Sequence, residues 1–378
     1  MYNNKPIISN FSTDYGSEIY ITYESPPGLS FEESVILLFN TYDSVSKENS
    51  LTPETEIMTR FHLSDIANQA KLFREYLNTK RETSYASIVG TPPVFGKVAI
   101  ESYHIKSKNT IVKTKPDDGV LCVKHNKYST IWLSGKPSNK GNSEFQSNEI
   151  LDKFSRKLIN YNATIQDNLI RTWFYVRDID NNYAGFVKSR REFFKTIGLT
   201  NDTHFVASTG IEGCCENVSD LVYMNSLSIT GLQKGQIEYM SVPDYMCPTY
   251  FYNVTFERAT KVNYGDRTHY YISGTASIDK EGNVLHIGNV EKQAERTLEN
   301  INALLSAYGA DFSDMKVMLV YLRDLSDLVR VSQFLKQKLP ENLPYIIVRG
   351  AVCRPTWLIE MEGIAISSKK NNSFFPFC

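Results

Sequence analysis

No Cys-x-x-Cys pair, no His-x-His or His-Glu-x-x-His run and no Gly-x-Gly-x-x-Gly loop occurs in this sequence. Those absences argue against structural zinc, zinc-peptidase and dinucleotide-binding chemistry. The six cysteines are few and irregularly spaced, and Cys214-Cys215 are vicinal, so a disulfide framework is not expected. Charge of one sign is also missing: 41 Lys plus Arg stand against 42 Asp plus Glu, which leaves no electrostatic footprint for nucleic acid. Apolar runs such as Met315–Leu322 are strand-length, far short of the roughly 20 residues of a spanning helix. Met1-Tyr-Asn-Asn-Lys-Pro6 has no apolar core of a secretory signal. The expectation is a reduced, cytoplasmic protein without metal or cofactor, and without nucleic-acid or membrane partners.

What is present is enough apolar side chain for real cores, 42% hydrophobic against 22% charged, with 23 Tyr and 20 Phe. That aromatic load suits sheets or internal contacts. A length of 378 residues suggests two or three domains at roughly 100–200 residues each.

Self-similarity sharpens the count. The segment ending Tyr175-Val-Arg-Asp178 matches the one ending Tyr321-Leu-Arg-Asp324. Ser134-Gly135 and Ser273-Gly274 precede these segments at the ends of apolar runs. After each Arg-Asp pair the pattern predicts a helix (183–197; 325–339), a short strand (204–208; Tyr345–Arg349) and a last strand (221–229; 358–367). A fainter copy at the N-terminus reads as helix 31–45, strand 56–62, helix 64–77 and strands at Tyr85–Val89 and 97–105. The order of elements predicts an α+β architecture with helices on one sheet face. Linker-like loops near 106–120 and 231–253 divide the chain into units at 1–118, 119–245 and 246–378.

The last strands of the copies differ in a telling way. Glu360 and Glu362 lie two apart, on one face of a strand, where the second copy has Tyr223 and Asn225. A carboxyl among apolar neighbours has its pKa raised by burial, which is what a general acid near neutral pH requires. The competing reading is an exposed sheet face bearing two ordinary glutamates. In the strand 169–175, Arg171, Trp173 and Tyr175 share a face suited to a polar cleft or an interface between units. There Arg171 either holds a ligand or pairs with an interface carboxylate. Cys353 is a buried small hydrophobe or, beside Arg354, a functional thiol.

From Ser273-Gly-Thr-Ala-Ser277 through His286-Ile-Gly288, Gln293, Tyr321-Leu-Arg-Asp324 and Glu360-Met-Glu362, the C-terminal third resembles the reactive-intermediate deaminase (Rid, or YjgF) family. Those are small trimers with ligand clefts between subunits. The fuller pattern resembles the chorismatases, larger enzymes related to that fold. It consists of Arg171-Thr-Trp173, Tyr183-x-x-Phe186-x-x-x-Arg190, Phe256-Glu-Arg258-Ala259, Gly274-Thr-Ala-Ser277, and Cys353-Arg354 with Glu360. It departs from the family at Phe174, at Glu257 and in the run Glu238-Tyr-Met-Ser-Val242.

The resemblance implies Rid/YjgF-like (chorismate-mutase-like) α/β sandwich units, three in tandem as a monomeric pseudo-trimer. It implies cleavage of chorismate, a small dianionic carboxylate, to pyruvate plus 3-hydroxybenzoate or a dihydroxycyclohexadiene carboxylate. Glu360 then resembles the general acid, with Cys353 and Glu362 beside it. Arg171, Trp173, Tyr183, Arg190, Arg258, Gly274, Ala276 and Arg354 are the implied substrate-binding set. The alternatives are a Rid-type imine or enamine deaminase and a non-catalytic binder of small molecules.

Overall fold

The computed structural model describes residues 5–78, 84–116, 119–138 and 140–378. Its first unit holds β1 (Ile7–Ser12), β2 (Gly16–Glu24), α1 (Phe31–Glu48), β3 (Glu56–Leu63), α2 (Ile66–Asn78), β4 (Tyr85–Val89) and β5 (Val98–Ser107). The second holds β6 (Val112–Thr114), β7 (Val120–His125), β8 (Tyr128–Gly135), α3 (Ser143–Ile159) and the short α4 (Ile165–Asn168). It continues with β9 (Leu169–Val176), α5 (Ile179–Thr196), β10 (Ala207–Glu212) and β11 (Val222–Thr230). The third holds β12 (Ile237–Met240), β13 (Ala259–Asn263), β14 (Thr268–Ala276), α6 (Val290–Ala307), β15 (Met315–Leu322), α7 (Leu328–Lys338), β16 (Tyr345–Arg349) and β17 (Ile359–Ser367).

The same wiring recurs three times. Strand orders are β1-β2-β5-β3-β4, then β7-β8-β11-β9-β10 with β6 added at the β7 edge, then β13-β14-β17-β15-β16 with β12 added at the β13 edge. In every unit the last strand inserts at the centre of its sheet, and only the pair joined through the second helix is parallel. The faint N-terminal copy is therefore a complete unit, and the chain is a tandem of three Rid/YjgF-like sandwiches.

Two expectations shift. The loops near 106–120 and 231–253 are not plain linkers, because each carries an edge strand (β6, β12) that pairs into the following sheet. The divisions read at 118 and 245 thus fall after the first strand of the next sheet; residue 118 itself lies outside the described residues. The strand expected at 204–208 runs instead from Ala207 to Glu212, paired in parallel with β9.

Local signals account for the helices. Ser30 and Glu33 form a reciprocal capping box on α1, and Asn289 caps α6 through the Lys292 amide. Each long helix buries one apolar stripe, as Val35, Leu38, Phe39 and Tyr42 do on α1. On the other side of the sheets, aromatic residues from different units meet. Tyr103 of the first unit lies 6.4 Å from Trp132 of the second, which in turn stacks on Trp173 of its own sheet at 6.3 Å. Part of the high Tyr content, with one of the three Trp, thus lies between units, where large amphipathic rings bury area and still satisfy a polar tip.

Polar links close the ring of units. The Tyr85 hydroxyl bonds Ser134 and Asn225 between the first and second. Arg171 pairs with Glu362 between the second and third, and Arg267 with Glu18 between the third and first. No helix among the described residues is long and apolar enough to cross a membrane. With the three inter-unit faces already covered within one chain, static light scattering is expected to return a single 43.1 kDa species. A stable trimer would contradict that assembly.

Candidate active site

Glu360 sits on β17 opposite Ala276 of β14 and Tyr321 of β15. Its side chain lies over Gly274: a Cβ at that position would overlap the carboxyl group, so only glycine leaves room there. The carboxyl is almost fully buried, and burial, reinforced by the charge of Glu362, pushes its pKa up to about 8. It faces a cavity of about 40 Å³ between the second and third units.

Tyr183 and Arg190 of α5, Ser208, Thr209 and Gly210 of β10, and Arg258, Gly274 and Cys353 line the same cavity. Helix α5 places Arg190 under the sheet with its guanidinium 4.7 Å from the Phe186 ring. Arg190 donates only to the hydroxyls of Thr255 (3.3 Å) and Ser208 (3.2 Å). Burial lowers its pKa to about 10, still cationic at neutral pH. Arg258 donates to the Cys247 carbonyl at 2.8 Å, while its buried Nε has no partner among the described residues. Neither guanidinium is ion-paired there, which is costly for a buried cation. The cavity therefore presents two uncompensated positive groups beside an acid that is protonated near neutral pH.

Burial with the nearby Glu360 pushes the Cys353 thiol up to about 12. At neutral pH Cys353 is a thiol and not a thiolate nucleophile. Arg354 does not line this cavity; its guanidinium packs 4.7 Å from the Tyr252 ring and 4.5 Å from that of Trp357, both of which do, and it bonds the Gly282 carbonyl at 3.1 Å.

Glu362, Arg171 and Trp173 do not join this cavity. Glu362 shares a strand face with Glu360 but opens on a separate void of about 20 Å³ that Arg60, Glu101, Arg171 and Trp173 also line. Its carboxylate accepts from Arg171 Nη2 (2.5 Å), Trp173 Nε1 (3.0 Å), the Tyr321 hydroxyl (3.0 Å) and the Thr209 hydroxyl. Of the two roles open to Arg171, pairing with an interface carboxylate is the one present. Arg171 also donates to Thr209 and to the Thr172 carbonyl, so its donors are directed at protein acceptors. Thr209 joins the two regions, because its oxygen also accepts from the Gly274 amide at 2.9 Å.

Sequence reasoning did not single out Ser208-Thr209-Gly210, Tyr252 or Trp357. The strand ending expected at 208 left Thr209-Gly210 in a loop; only a longer β10 brings both to the cavity. The departures from the family pattern lie at its margins. Phe174 packs on Phe186 at 4.7 Å, Glu257 accepts from the Phe205 amide, and Glu238 pairs with Lys261 on the edge strand. No group of three or more His, Cys, Asp or Glu suited to a metal occurs among the described residues.

Fold and site together define a protein of tandem α/β sandwiches with an arginine-lined cleft between two of them. Residues 258–367 match the family model for endoribonuclease L-PSP. The 3-aminoacrylate deaminase RutC of Acinetobacter baylyi is 32% identical over 97 residues, 25% of this chain and 76% of the relative. A RutC family protein of Pyrococcus abyssi is 32% identical over 96 residues, with the same shares. The chain belongs to this endoribonuclease L-PSP (RutC) family through its third unit. Over its whole length it shares the fold of a crystallised chorismatase, with a TM-score of 0.64 at 17% identity, covering 94% of this chain and 100% of that one.

Removing one partner of a buried ion pair strands the other charge. Arg171→Ala is expected to lower unfolding free energy by about 3–5 kcal/mol, measured by denaturant titration. A loss below about 1 kcal/mol, the level of an exposed pair, would show that Glu362 does not depend on this arginine.

Proposed function

We propose that the cleft between the second and third units cleaves the enolpyruvyl ether of chorismate. The observation that carries this reading is the pair of buried arginines, Arg190 and Arg258, that have no carboxylate partner among the described residues and face a protonated glutamic acid. Chorismate carries two carboxylates, and planar guanidinium groups match carboxylates in a bidentate manner that lysine does not. Arg354, packed against Tyr252 and Trp357 of the lining, is a third cation nearby.

In this reading Glu360 donates its proton to the enol ether's terminal methylene carbon. The ether carbon becomes an oxocarbenium centre, with the negative charge left on Glu360 in a low-dielectric site beside Arg258. Water, or a hydroxyl of the substrate ring, attacks that centre. Water attack gives a hemiketal, with the water's proton passing to Glu360; its collapse breaks the bond to the ring oxygen and releases pyruvate. Attack by the neighbouring ring hydroxyl gives a cyclic ketal. Its bond from that oxygen to the ring carbon breaks as the adjacent ring carbon loses its proton, and the aryl hemiketal so formed splits into pyruvate and the phenol. Hydrolysis leaves a dihydroxycyclohexadiene carboxylate; the ring-hydroxyl route leads to 3-hydroxybenzoate, the product favoured by the resemblance of Cys353 to the cysteine of the 3-hydroxybenzoate-forming chorismatases. Glu362 and Arg171 act as positioning residues that hold β17 against β9 and β10. The present void admits only about three water molecules, so substrate entry requires the lining to move.

The likeness of the third unit to a 3-aminoacrylate deaminase favours a second reading. In it the same arginines hold one carboxylate and Glu360 positions water for imine hydrolysis. Coupled detection of pyruvate from chorismate separates the two. Wild-type protein is expected to release pyruvate and Glu360→Gln to lose at least a hundredfold in kcat, in keeping with loss of a general acid; no release above the Glu360→Gln control would sink the lyase reading.

The pH profile tests the acid directly. Protonated Glu360 is the active form, so kcat/KM should stay level below neutrality and fall as pH rises through about 8. A rate that instead increases across that range would assign Glu360 the role of a base.

A further inference from the structure

Two irregularities interrupt the third sheet, and only one of them recurs in the other units. The register slips between Met315 and Val317, between Leu227 and Ser228, and between Glu56 and Met58, each time where the last strand meets the strand after the first long helix. That recurring slip belongs to the shared fold. The other lies between Ile272 and Thr275, where Ser273 and Gly274 of β14 together face Glu362 of β17. The equivalent pairings run unbroken: Ser134 alone faces Asn225, and Thr22 alone faces Glu101. We infer that this bulge, confined to the third unit among the described residues, serves the candidate active site, and that Thr209 is the positioning residue that holds it. The inference rests on the reading of Glu360 as a general acid and adds a residue that acts on that acid from the second unit.

A bulge takes a backbone group out of the ladder and re-aims the chain at that point. Here β10 of the second unit makes up the loss at both residues. The Ser208 amide donates to Ser273 Oγ at 2.9 Å, and the Gly274 amide donates to Thr209 Oγ1 at 2.9 Å. The same Thr209 oxygen accepts from Arg171 Nη2 at 2.6 Å and donates to Glu362. A threonine hydroxyl offers one proton and two lone pairs, and all are in use. The Thr209 methyl also packs here, since a Cβ on Gly274 would stand 3.2 Å from Thr209 Cγ2 and overlap the Glu360 carboxyl. The φ of Gly274 is not positive, so glycine serves here for space and not for backbone conformation.

This arrangement bears on the proton of Glu360. Without the Thr209 hydroxyl, the Gly274 amide is left unpaired beside the Glu360 carboxyl. An amide that donates to a carboxylate favours its charged form. By occupying that amide, Thr209 keeps it from the carboxyl and leaves the acid protonated by burial.

The test titrates Glu360 directly through its infrared carboxyl band in the full chain, with Glu360→Gln to assign the band. Thr209→Val keeps the shape and removes the hydroxyl; it is expected to lower the midpoint by about one pH unit or more. Thr209→Ser, which keeps the hydroxyl, should restore the wild-type midpoint. The fall of kcat/KM with pH for pyruvate release should move with the band. In the wild-type chain, hydrogen exchange read by NMR should find the Gly274 amide as protected as the paired amides of β14, a measurement that needs no variant to fold. An unchanged midpoint in folded Thr209→Val, an equal shift in Thr209→Ser, or a freely exchanging Gly274 amide in the wild type would each overturn the inference. Failure of chorismate to yield pyruvate would end the cleavage reading and leave the infrared titration to decide this one.

Discussion

The ion pair between Arg171 and Glu362 is the contact on which the site's geometry depends. It joins β9 of the second unit to β17 of the third, far from solvent, and Trp173, Tyr321 and Thr209 complete the carboxylate's hydrogen bonds. A buried pair contributes little net stability over an apolar replacement, because desolvation offsets the attraction. What it supplies here is register. With Glu362 held by several donors, Glu360 two residues earlier is fixed over Gly274 and within the arginine-lined cavity. Thr209 carries the constraint across, since one hydroxyl engages Arg171, Glu362 and the Gly274 amide together.

The same position in the other units shows how a triplicated fold diverges. Strand pairing places Glu101, Asn225 and Glu362 at equivalent sites, opposite Arg60, Trp173 and Leu319. Glu101 is matched by Arg60 at 2.7 Å, and Asn225 by Tyr85 and Ser87. Arg60 and Arg171 approach the Trp173 ring at 4.6 and 4.9 Å, so two charged pairs and one indole share the inner layer. Each unit satisfies its inward polar group with a different partner. A chain that encodes all three copies is free to specialise them, whereas a symmetric trimer must use one solution three times.

Much of the fold was legible because its signals are local. Period-two alternation, helix stripes and the Tyr-x-Arg-Asp motif repeated at 175–178 and 321–324 named the units and most of their elements. The edge strands β6 and β12 escaped notice: they are short and lie in polar stretches, and their pairing is made by the next sheet. Glu360, Arg190, Arg258, Tyr183 and Cys353 were readable as candidates from residue type and family pattern, and all line one cavity. Arg171, Trp173 and Glu362 carry the same kinds of chemistry and were grouped with them, because a shared strand face does not reveal that Thr209 and Gly274 divide it.

The sequence by itself determined the repeat, the faces of each strand, and which side chains are chemically able to hold a dianion or donate a proton. These follow from dihedral preference and spacing along a few residues. Only the tertiary structure decided that Arg171 meets a carboxylate 191 residues away while Arg190 and Arg258 meet none. It also decided that ion pairs from Glu216 to Arg74 and Lys136 close the junction of the first and second units. Those outcomes depend on the closing of three units around one interior, where burial sets the cost of every unpaired charge.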